Sequence, residues 1–90
     1  MKLDILELEI YKTIKPEDQM KKVWEEFGEL KNATDFSNLV EELQDVIQVC
    51  NGALQVFERD GAIILAETWQ KHRKKLLDRQ NAKGGGEREG

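Results

Sequence analysis

Apolar residues recur along this chain at helical spacing. After residue 15, Met20, Val23, Trp24, Phe27 and Leu30 follow the i, i+3, i+4, i+7 pattern of one buried face, which predicts a helix from about Pro16 to Asn32. From Leu39 onward Val40, Leu43, Val46, Ile47, Cys50, Leu54 and Phe57 keep the same period over about five turns and predict a longer helix. A last helix is expected from about Ala62 to Asn81. Ile63, Ile64, Ala66, Trp69, His72, Leu76 and Leu77 mark its buried side, while Lys71, Arg73, Lys74, Lys75 and Arg79 crowd the remainder. The opening stretch is ambiguous: Leu3, Ile5, Leu6, Leu8, Ile10, Tyr11 and Ile14 fit a strand alternating with Glu7 and Glu9, and equally a helix opened by Asp4 with Glu7 as its capping partner. Helix is favoured there, so the expected fold is all-α, a four-helix bundle-type protomer.

Local signals place the breaks. Lys15-Pro16-Glu17-Asp18 restarts the chain, because proline is tolerated in a first helical turn and acids there complement the helix dipole. Asn32-Ala33-Thr34-Asp35 reads as a turn, with Asp35, Ser37 or Asn38 available to cap the next helix. Gly61 suits a left-handed position closing that helix after Arg59-Asp60. Gly52 lies inside the uninterrupted pattern and is read as a close packing point, at a cost of about 1 kcal/mol relative to alanine. Trp24 and Trp69 are assigned to the core. Residues 82–90, with four glycines and only Ala82 apolar, are expected to form a disordered tail behind a single domain of residues 1–81.

Ninety residues allow one domain whose own core is modest, which makes partner chains plausible. The net charge of −4 hides an asymmetry, since residues 1–60 carry fourteen acids against seven bases and residues 61–90 carry four against seven. An acidic body of this kind repels phosphate backbones, so a nucleic-acid partner is not expected. A small phosphorylated molecule, held between a metal and a few cations, suits it better. The lone Cys50 makes no intrachain disulfide, and no charged and apolar leader opens the sequence, so a cytoplasmic protein without a membrane segment is expected.

The chemistry concentrates in two acidic clusters, Glu25-Glu26-Phe27-Gly28-Glu29 and Glu41-Glu42-Leu43-Gln44-Asp45. Residues three apart in a helix project roughly 60° from one another, so Glu26 and Glu29 share a side of one helix, as Glu42 and Asp45 do of the next. Packed antiparallel, the two helices would gather four carboxylates. Such a group stays ionised only around positive charge, and oxygen-only ligands suit Mg²⁺ or Mn²⁺ rather than zinc or copper. Each pair taken alone would be an ordinary solvated helix face, but two pairs flanking apolar stripes on consecutive helices favour a metal site. His72 is the single histidine, which argues against Glu-x-x-His di-iron sites, zinc hydrolase sites and histidine-based triads. No glycine-rich phosphate loop is present, and the run from Lys71 to Arg79 reads either as a solvated basic face or as a phosphate clamp.

The motif Glu26-x-x-Glu29, twelve intervening residues, then Glu42-x-x-Asp45 resembles the MazG-like group of all-α nucleoside triphosphate pyrophosphohydrolases. The resemblance covers about residues 16–80. It implies Mg²⁺-dependent cleavage (Mn²⁺ being the alternative) of a (deoxy)nucleoside triphosphate between the α and β phosphates, releasing monophosphate and pyrophosphate. It further implies metal ligation by Glu26, Glu29, Glu42 and Asp45, with Glu25 or Glu41 orienting the attacking water. Lys71, Lys75 and Arg79 resemble the family's spaced basic residues and would bind the β and γ phosphates. Gln19 would contact the base. Members of the family are homodimers or homotetramers. Two other readings stay open, a phosphoribosyl-ATP pyrophosphohydrolase of the same superfamily and a non-catalytic helical interaction module.

Overall fold

The computed structural model describes residues 3–61 and 64–86, with side chains through Ala82. An extended segment leads into a 3-10 turn, Glu9–Lys12, followed by three α-helices: α1 (Pro16–Lys31), α2 (Phe36–Arg59) and α3 (Leu65–Gly86). No strand occurs among the described residues, and no described helix is long and apolar enough to cross a membrane. The fold is all-α.

Helix α1 begins with Pro16 in its first turn and Glu17 and Asp18 beside it, as the sequence predicts. Asp35 is the N-cap of α2, its side chain accepting the Asn38 backbone N–H at 2.8 Å. Gly61, at φ 76°, takes the left-handed conformation that ends the helical run. Helices α1 and α2 form an antiparallel hairpin with a small core, in which Val23, Ala53 and Val56 are buried along with Tyr11 from the N-terminal segment. Gly52 is the close packing point expected of it. A Cβ there would collide with the Tyr11 ring and the Gln19 amide, so only glycine lets the N-terminal segment and α1 approach α2 together.

The expected first helix is corrected. Residues 3–8 are extended, and only the short 3-10 turn follows. The cause is Gln48 on α2, whose Oε1 accepts the Leu6 N–H at 2.9 Å and whose Nε2 donates to the Leu6 carbonyl at 2.9 Å and to the Tyr11 hydroxyl at 2.8 Å. One side-chain amide thus satisfies the backbone groups that a helix would otherwise pair. Gln55 donates to Glu7 at 2.7 Å and Arg59 to the Tyr11 carbonyl at 3.0 Å, fastening the same segment further along α2.

The second correction concerns α3. Its expected buried side is open: Ile64, Ala66, Trp69, His72, Leu76 and Leu77 are all exposed, and Ile63 lies outside the described residues. Among the described residues the helix is hydrogen-bonded to the hairpin at its start, where the Leu65 N–H donates to Glu58 Oε2 at 3.4 Å. Neither tryptophan is in a core, with Trp24 65% and Trp69 54% exposed. The backbone is helical to Gly86, five residues past the expected end at Asn81; residues 87–90 lie outside the described set. With α3 standing off, the radius of gyration is 16.3 Å. A compact chain of this length would have about 12 Å.

Candidate metal centre

One register builds both the hairpin and its acidic site. Gln19 donates its side-chain amide to the Val49 carbonyl at 3.0 Å; seven residues on in α1 and seven back in α2 stand Glu26 and Glu42. Because α1 and α2 run antiparallel, Glu29 then falls beside Glu26 on the α1 side, and ligand oxygens of Glu26, Glu29 and Glu42 lie within 4.8 Å of one another. Asp45 is outside this closest set, yet its charge acts on both half-buried glutamates.

Burial first, then the charges of Glu29, Asp45 and Glu42, push the Glu26 carboxyl above its ordinary range. Burial, then Glu29 and Asp45, does the same to Glu42. These effects would be relieved by any cation in reach. Among the described residues, however, the ion pairs are Lys12 with Glu9, Arg59 with Asp60 and Lys74 with Asp78, so neither Lys22 nor Lys31 neutralises the cluster.

Two oxygens, Glu26 Oε1 and Glu42 Oε1, are shielded from solvent with no hydrogen-bond partner. A desolvated carboxylate oxygen without a donor is costly. A hard divalent cation offers such an oxygen what it lacks, and the donor set is all oxygen, so the residues present fit Mg²⁺ or Mn²⁺.

The remaining candidate residues divide. Glu25 and Glu41 are exposed, each four residues before Glu29 or Asp45 and therefore on the same side of its helix as that carboxylate. The structure brings both to the acidic side. Lys71, Lys75 and Arg79 are exposed on α3 and are not brought to the carboxylates within one chain. Gln19 is 1% exposed and sits about 10 Å along the α1 axis from Glu26, where it ties α1 to α2. In this chain alone its amide therefore serves the packing of α1 on α2. A cavity of about 570 Å³ lies elsewhere, between the N-terminal segment and the C-terminal half of α2, lined by Tyr11, Asn51, Gln55, Arg59 and Leu65 among others. None of the carboxylates of the cluster lines it.

Neither a protein-family model, nor a curated protein, nor a solved structure matches this chain.

Proposed function

We propose that this chain is a divalent-metal-dependent pyrophosphohydrolase of nucleoside triphosphates, of the MazG-like kind, with Glu26, Glu29, Glu42 and Asp45 as metal ligands. The observation that carries the reading is the solvent-shielded, partnerless oxygen on each of Glu26 and Glu42, in a carboxylate cluster that no described Lys or Arg pairs with. An acidic surface serving only solubility would keep its carboxylates in water.

Bound Mg²⁺ supplies charge neutralisation for phosphate oxygens and acidifies a water. The chain's own groups do the rest. Glu25 or Glu41, each beside a ligand on its helix, orients the water and takes its proton as the water oxygen bonds to the α-phosphorus in line. The bond from the α-phosphorus to the bridging oxygen breaks, and pyrophosphate leaves with that oxygen. Lys71, Lys75 and Arg79 recur every fourth residue along one side of α3 and bind the departing β and γ phosphates when α3 of a neighbouring copy lies over the acidic side. The hairpin is acidic and α3 basic, so the approach is electrostatically favourable.

The test is pyrophosphate release from a panel of ribo- and deoxyribonucleoside triphosphates, with and without Mg²⁺, comparing wild type with Glu42→Gln. Metal-dependent release that the variant loses is the expected result. Release unchanged in Glu42→Gln, or none with any triphosphate, would end this reading.

A further inference from the structure

The extended N-terminal segment presents a backbone edge. In an extended chain the N–H and C=O of one residue point to one side and those of the next to the other. Gln48 takes both groups of Leu6, so those of Ile5 and Glu7 face away from α2. Among the described residues, neither Ile5 nor Glu7 makes a backbone hydrogen bond. Around them Leu3, Leu6 and Leu8 are exposed, from 41% at Leu8 to 56% at Leu6. An open extended edge with apolar side chains is a template for another extended chain.

The same segment walls the cavity of about 570 Å³ through Glu7, and Glu58 of α2 lines it as well. Two cations line it too, but both are committed: Lys12 to Glu9 at 3.2 Å, and Arg59 to Asp60 at 2.8 Å and to the Tyr11 carbonyl at 3.0 Å. Among the described residues, Glu7 accepts the neutral Gln55 amide and Glu58 the Leu65 N–H, and no lysine or arginine pairs with either. The uncommitted charges of the cavity are therefore negative. Asn51 also lines it, and its amide nitrogen has no acceptor. A ligand suited to this cavity brings a cation for the carboxylates and a carbonyl for the amide. A basic residue in an extended peptide carries both, together with the backbone groups that the open edge lacks.

We propose that residues 3–8 and this cavity form a docking site for an extended, arginine- or lysine-bearing segment of a partner protein. The segment adds as a strand along the edge of Ile5 and Glu7, and its basic side chain enters the cavity to pair with Glu7 and Glu58. Main-chain pairing supplies affinity in strand addition, and the pocket supplies specificity. An apolar strand would cover both carboxylates and the Asn51 amide without giving them partners, which is costly. The site is separate from the metal centre, since none of the clustered carboxylates lines the cavity and Asn51 stands about 9 Å beyond Asp45 along the α2 axis. The inference is independent of what those carboxylates bind.

Titration calorimetry of the full chain, without divalent metal, tests it with a blocked hexapeptide in which arginine alternates with valine. Two counterparts change the peptide alone, so the fold of the protein is not at issue. One has every backbone nitrogen methylated; the other has citrulline, a neutral near-isostere, in place of arginine. The parent peptide is expected to bind, and each counterpart to bind at least about tenfold more weakly. No binding of the parent, or equal binding of either counterpart, would overturn the proposal. Amide chemical shifts locate the complex, with changes expected at residues 5–12 and 51–59. Changes centred on residues 25–45 would refute it, by making the carboxylate cluster the attractant. The Mg²⁺ response of that cluster is read separately, so failure of the docking site and failure of the metal site give different results.

Discussion

Adding Mg²⁺ at neutral pH should raise the melting temperature of this chain, by an amount that its site geometry makes dependent on pH. The ligand oxygens of Glu26, Glu29 and Glu42 are already gathered within 4.8 Å, so binding demands little further ordering. At a hundredfold excess over the dissociation constant, a ligand bound only by the folded state adds about 2.7 kcal/mol. For a chain of this length, that is roughly 10–20 °C. Glu26 and Glu42 both have raised folded pKa values, so without metal the folded state binds more protons than the unfolded one between the ordinary glutamate pKa and the raised value. Their destabilising contribution is fully present above the raised pKa, declines as pH falls through it, and is gone below the unfolded value of about 4.3. The increment from Mg²⁺ should run the opposite way, shrinking over that window as protons compete for the same oxygens. Glu42→Gln should gain stability at neutral pH without metal, because one charge leaves the cluster, and should lose most of the Mg²⁺ increment. Differential scanning fluorimetry over pH and Mg²⁺, for both proteins, reads all of this. A Mg²⁺ increment that is equal in wild type and Glu42→Gln would refute the assignment of these groups as ligands.

Three further substitutions separate packing from chemistry. Gly52→Ala should destabilise by about 1–3 kcal/mol, because the added methyl meets the Tyr11 ring and the Gln19 amide, whereas Gly28→Ala, with open space around it, should stabilise by about 1 kcal/mol; chemical denaturation checks the opposite signs. Gln19→Met keeps the volume, removes a buried oxygen without a partner and loses the bond to Val49, so stability should change by less than about 1.5 kcal/mol with turnover intact. A rise in KM for one base alone would instead return Gln19 to substrate contact. Replacing Lys71, Lys75 and Arg79 together by alanine should leave stability within about 0.5 kcal/mol per site while raising KM for triphosphates, since all three are exposed.

Much of this was legible in the residues because it depends on local periodicity. The bounds of α1 and α2 follow from the 3.6-residue pattern with Pro16 and Asp35, and the meeting of Glu26, Glu29 and Glu42 follows from that pattern plus an antiparallel turn. Two features depend on partners that periodicity does not name. The opening segment carries helical spacing, but a single distant amide, Gln48, supplies its hydrogen bonds and holds it extended. The stripe on α3 is a real apolar pattern, yet its partner surface is not in the same chain's hairpin packing, so Trp69 and Leu76 stay exposed. Gln19 carries a further feature that periodicity does not name, since its buried amide is bonded to the Val49 carbonyl of the facing helix.

The hairpin is unevenly secured along its length, and this gives the metal reading a local test. Its open end, away from the connecting turn, holds Val56, Ala53, the Gly52 contact with Tyr11 and the bond from Gln19 to Val49. Its other end, where α1 turns into α2, meets across Glu26 and Glu42, whose mutual repulsion and unpartnered oxygens oppose the approach. Local opening free energies follow buried contacts, so amides of residues 26–46 should exchange faster than those of 49–57 in the absence of metal. A divalent ion among the carboxylates turns the repulsive contact into a bridge, and protection should rise in residues 26–46 with little change at 49–57. Hydrogen exchange read by mass spectrometry, with and without Mg²⁺, resolves the two segments. A uniform gain over the whole hairpin would point to nonspecific screening of an acidic surface and would count against a built site.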